Sequence, residues 1–76
     1  MNSILLVNNM EIGEIISIDD NKINFAPFSG PGHMMLCNAM KETGHCNANI
    51  INEKSNLSIC ITDYLLYGTL LFTEKI

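Results

Sequence analysis

The chain has 76 residues, room for one domain with a slight core, so residues 1–76 read as a single small unit. Four lysines, no arginine and eight carboxylates leave a net charge of −4, which excludes the phosphate-neutralising surface that nucleic acid binding draws on. The longest apolar run, Tyr64 to Phe72, falls far short of the roughly 20 residues that carry a helix across a bilayer, so no membrane span is expected.

In chain order, Ile4-Leu5-Leu6-Val7 is short, carries β-branched residues at both ends and is closed by Asn8-Asn9, the pattern of a buried strand. Met10 to Gly13 is expected to bend the chain. Glu14 to Ile18 and Lys22 to Ala26 flank Asp19-Asp20-Asn21, a hairpin with a three-residue turn and Asn21 at its left-handed position. Alternation puts Ile23 and Phe25 on one face, Lys22 and Asn24 on the other. The run from Gly13 to Ile23 resembles the hairpins of small SH3-like barrels, over a stretch too short to assign a family.

Pro27 has no N–H to donate and ends the ladder. The loop Phe28-Ser29-Gly30-Pro31-Gly32 delivers the chain into a helix over His33 to Thr43, rich in Met, Leu, Ala, Lys and Glu, with Gly44 as its C-terminal cap. His33, Leu36, Cys37 and Met40 share one face, Met35 and Ala39 widen it, and Asn38, Lys41 and Glu42 look outward.

Ala48 to Ile51 and Leu57 to Thr62 then flank the turn-rich stretch Asn52 to Asn56 as a second hairpin. The last segment, Tyr64 to Phe72, is apolar on both alternating faces, or bends at Gly68. The order β-β-β-α-β-β-β predicts an α+β fold: a small, mostly antiparallel sheet of five to six short strands with one helix packed on it.

Chemistry-bearing residues are few. Gly30 and Gly32 let backbone approach a ligand, Pro31 suits a first helical turn, and the free N–H groups there attract anions; Ser29 offers a cap or a hydroxyl and His33 a ring. The alternative for this loop is a sharp strand-to-helix corner. His33, Cys37, His45 and Cys46 are zinc-type ligands, but a rise of 1.5 Å per residue separates His33 from the His45-Cys46 pair by roughly 15–18 Å. Only His33 and Cys37 can converge, so no metal site or cofactor is assigned. A Cys–His nucleophile with no third orienting group, and the absence of paired carboxylates or an arginine clamp, argue against an enzyme.

An apolar fraction of 47% in so short a chain points to self-association, with Met34, Tyr64, Tyr67, Leu70 and Phe72 as interface candidates. Three cysteines without a CxxC, and no basic-then-apolar N-terminal run, suit a reducing cytoplasm. The reading that emerges is a non-enzymatic, homo-oligomeric binding protein holding a small anionic or nucleotide-like ligand at Ser29, Gly30, Gly32 and His33. Many asparagines and isoleucines beside no arginine suit a phage or mobile-element protein that sequesters a host signalling nucleotide. The competing reading is an inhibitor or adaptor that meets a host protein through its apolar C-terminal strand.

Overall fold

The computed structural model describes residues 3–28, 30–66 and 68–74. Six strands, β1 (Ile4–Val7), β2 (Met10–Asp19), β3 (Lys22–Pro27), β4 (Cys46–Ile51), β5 (Asn56–Leu66) and β6 (Thr69–Glu74), and one helix, α1 (Pro31–Thr43), follow the expected order. All six strands pair antiparallel in a closed barrel, β1-β2-β3-β6-β5-β4. The expectation of an open sheet backed by a helix is thereby corrected. Two three-stranded meanders meet first strand to first strand, Leu5 opposite Ile50, and third to third, Ile23 opposite Leu70. Closure removes both sheet edges and wraps one apolar face around itself, so the helix covers one end of that interior instead of a whole sheet face.

The turns explain how so short a chain closes. Asn8 and Asn9 hold φ of 52° and 64° between paired Val7 and Met10, the positive dihedrals of a type I′ hairpin. The second turn is tighter than its sequence suggests. Asp19 pairs with Lys22, leaving two residues between them, and Asp20 rather than Asn21 takes the left-handed position, at φ 53°.

Met10 to Gly13, expected to leave the ladder, belongs to β2. A register shift between Leu5 and Leu6 leaves Ile12 as an extra residue, and a second shift leaves Ile16 between Ile15 and Ser17. Such bulges bend a strand without ending its pairing, which is what barrel curvature requires. Gly13 is there for space: a Cβ would lie 2.6 Å from both the Ala26 carbonyl oxygen and the Phe25 ring.

The apolar segment Tyr64 to Phe72 divides as the sequence allowed. Tyr64 closes onto Leu70, and Gly68 turns the chain at φ 89° into β6. Inside the barrel lie Leu5, Val7, Ile12, Ile23, Ile59, Ile61 and Leu70, all fully buried, with Phe25 and Phe72 nearly so. From α1, Leu36 enters this core, flanked by Met35, Ala39 and Met40. The helix lies over the end of the barrel where β1 ends, β2 and β4 begin and β5 ends, touching those four strands. Among the described residues no helix is long and apolar enough to cross a membrane.

Candidate ligand-binding site

The strand-to-helix corner treats its two glycines differently. Gly30 is the N-cap, with φ 126° and no side-chain capping bond, and Pro31 occupies the first turn. Gly30 is exposed with open space about it. Gly32 is buried, and a Cβ there would lie 3.1 Å from the Glu11 carbonyl oxygen. Gly32 therefore lets α1 approach β2. Ser29 and Tyr67 lie outside the described residues. Met34 is 67% exposed, whereas Leu70 and Phe72, expected at a subunit interface, point into the barrel interior at 0% and 5%. Their side chains complete this chain's own core, because β6 is a stave of a closed barrel.

His33 turns toward β5. Its Nε2 lies 2.6 Å from the Tyr64 hydroxyl, which accepts a bond from the Gly68 N–H at 3.1 Å. Gly68 donates to the phenol oxygen, and the phenol hydrogen is in reach of Nε2. The His33 ring meets the Tyr64 ring edge-on at 5.6 Å between centroids, and Tyr64 stacks on Phe25 at 6.3 Å. Cys37, one turn further along α1, brings Sγ to 4.0 Å from the same Nε2. The spacing that made His33 and Cys37 the convergent pair is thus realised, with Tyr64 as the third member.

Beside this cluster runs an open groove of about 330 Å³ between the second half of α1 and β5, lined by Cys37, Met40, Lys41, Gly44, Thr62, Asp63 and Tyr64. Met40 and Tyr64 supply apolar walls, Lys41 a cation and Asp63 an anion. Lys41, Thr62 and Asp63 escaped the sequence reading, since nothing local says that the end of β5 lies along α1. Among the described residues no three His, Cys, Asp or Glu side chains assemble as a metal site. Cys46, facing inward from β4, has its thiol pKa pushed up by burial and, secondarily, by Cys60. No known protein family matches this chain, and no significant match is found among curated proteins or solved structures.

Proposed function

We propose that the protein is a non-enzymatic binding protein for a small nucleotide-like ligand, and that the ligand lies in the groove between α1 and β5. One observation carries this: a single groove is lined by an aromatic and a thioether side chain, Tyr64 and Met40, together with one cation, Lys41, and one anion, Asp63. A flat heteroaromatic ring packs on such walls, its amino hydrogens donate to a carboxylate, and an attached phosphate meets an ammonium. A volume of about 330 Å³ stands at the small end of ligand sites, which favours one ring system over two. The helix corner at Gly30 and Gly32 lies outside this groove, which is lined by the second half of α1.

Thermal denaturation with a panel of mononucleotides and nucleosides tests the reading. A ligand at 100 times its Kd stabilises by about 2.7 kcal/mol, a Tm rise of roughly 10–20 °C for a chain of this size. Lys41 and Asp63 are exposed, so Lys41→Ala and Asp63→Asn should each weaken binding only about 2- to 5-fold. No rise with any member of the panel, or a rise indifferent to both substitutions, overturns the reading. A second reading, a surface for another copy of the chain or a foreign protein, draws on Ile16, Met34 and Leu65, exposed at 69%, 67% and 48%. Native mass spectrometry separates the two, one spectrum giving subunit number and any ligand retained.

A further inference from the structure

Cys37 differs from the other two thiols in what surrounds it. It lines the groove, with His33 Nε2 at 4.0 Å and Tyr64, bonded to that nitrogen, on the adjoining wall. Cys46 is buried, with Sγ directed at the Asn47 carbonyl at 3.5 Å, and Cys60 Sγ meets the Ile61 carbonyl at 3.9 Å. Neither of those two lines the groove.

We propose that Cys37 is a modification site, at which a small amino-acid-type disulfide seated in the groove undergoes thiol–disulfide exchange with the Cys37 thiol. This rests on the reading of the groove as the ligand site and gives that site a redox control, because the appended group fills the space the ligand would take. The rim supports an amino-acid partner. Lys41 suits a carboxylate and Asp63 an α-ammonium, opposite charges for the two ends of a zwitterion.

The thiolate is the nucleophile in such an exchange, so the Cys37 proton must first leave. It passes from Sγ to His33 Nε2. The thiolate attacks one sulfur of R–S–S–R; the old S–S bond breaks as the Cys37 Sγ–S bond forms; the departing R–S⁻ takes the proton from His33. Cys37 is oxidised, the released sulfur is reduced, and the disulfide itself is the oxidant. In the resting arrangement the Tyr64 hydroxyl competes with the Cys37 thiol for Nε2, and removing that hydroxyl relieves this competition.

The experiment treats the reduced full chain with cystine and follows intact mass, with peptide mapping to place the adduct. One cysteinyl group on Cys37, removed by dithiothreitol and lost in Cys37→Ser, is the expected result. His33→Gln should slow the reaction roughly tenfold or more, with its fold checked by circular dichroism. Tyr64→Phe is the second variant and should react faster than wild type, which a purely structural tyrosine would not produce. Reaction at Cys60 as fast as at Cys37, an unchanged rate in a folded His33→Gln, or a Tyr64→Phe rate no faster than wild type overturns the proposal. Nucleotide-induced Tm shifts, recorded before and after cysteinylation, keep the two readings apart. Exchange at Cys37 in a chain that no nucleotide stabilises keeps the modification site and drops the nucleotide. A nucleotide shift in a chain that cystine leaves unmodified does the reverse.

Discussion

Replacing Gly68 by alanine should open the seam at which the two meanders close. The glycine has φ of 89°, and a Cβ placed on it would lie 2.7 Å from the Phe25 carbonyl oxygen. The obstructing atom is backbone, so no rotamer change relieves it. The Gly68 carbonyl in turn accepts the Phe25 N–H at 2.8 Å, next to a β3–β6 ladder of only three residue pairs, Lys22 to Asn24 on one side. Holding alanine at positive φ costs about 1 kcal/mol and a displaced backbone bond about another. With the shift of the turn itself, the loss should be about 2–4 kcal/mol, against a whole stability of roughly 4–11 kcal/mol for 76 residues. Thermal unfolding by circular dichroism should then show Tm lowered by about 10–30 °C. Gly44→Ala is the matched control: its φ is 77° but open space surrounds it, so only the conformational cost of about 1 kcal/mol applies. Equal losses in the two variants would refute the assignment of Gly68 to close approach at the seam.

Asn52 Oδ1 accepts from the Lys54 N–H at 2.8 Å, the Ser55 N–H at 3.0 Å and the Ser55 hydroxyl at 3.2 Å; Asn52→Ala should cost about 1–2 kcal/mol in urea denaturation and Asn52→Asp, which keeps the acceptor, much less. Cys46 supplies a pH dependence. Its folded pKa is raised above the ordinary 9.0 by burial first and Cys60 second. Its contribution is therefore complete below pH 9.0 and declines as pH rises from there toward the folded value, because the unfolded chain gives up the proton first. Urea midpoints at about pH 8 and pH 10 should fall more in wild type than in Cys46→Ala; equal falls would show that ionisation of Cys46 plays no part.

Much of this fold is legible because its signals are local. Alternation at Ile23 and Phe25, the end of the first strand at Asn8-Asn9 and Gly44 at the helix end all act within a few residues, and the structure has each in its place, while the helix starts at Pro31, two residues before the expected His33. Closure is not local: it depends on Leu5 reaching Ile50 and Ile23 reaching Leu70 across 45 and 47 residues, and no pattern within either strand encodes its partner. Gly13 shows the same limit from the other side. Read as a turn residue, it is instead the position where β2 has no room for a side chain beneath Phe25. The site divides likewise. Helical spacing brought His33 and Cys37 together, while Tyr64, Lys41 and Asp63 join them only because β5 ends beside α1.

Closure also changes what the apolar composition implies. An apolar fraction of 47% in so short a chain points to a second copy, and a flat two-layer domain of this length, unable to bury both faces of Tyr64 to Phe72, would put the interface at that segment. In a barrel the inward residues Leu70 and Phe72 are buried by the opposite wall, and Tyr64 packs against the same core. Among the described residues the large apolar side chains most exposed to water are Ile16 at the β2 bulge and Met34 on the outer face of α1, followed by Leu65 near the end of β5 and Ile18, with Met10, Phe28 and Leu57 less so. Of these, Met34 is an interface candidate from the sequence as well; the others are not. Bulges leave Ile16 and Leu65 as extra residues, exposed, where a regular strand would have turned alternate apolar residues inward. The burial that holds this chain together comes first from its own closure, and any partner competes for what the bulges and the helix expose.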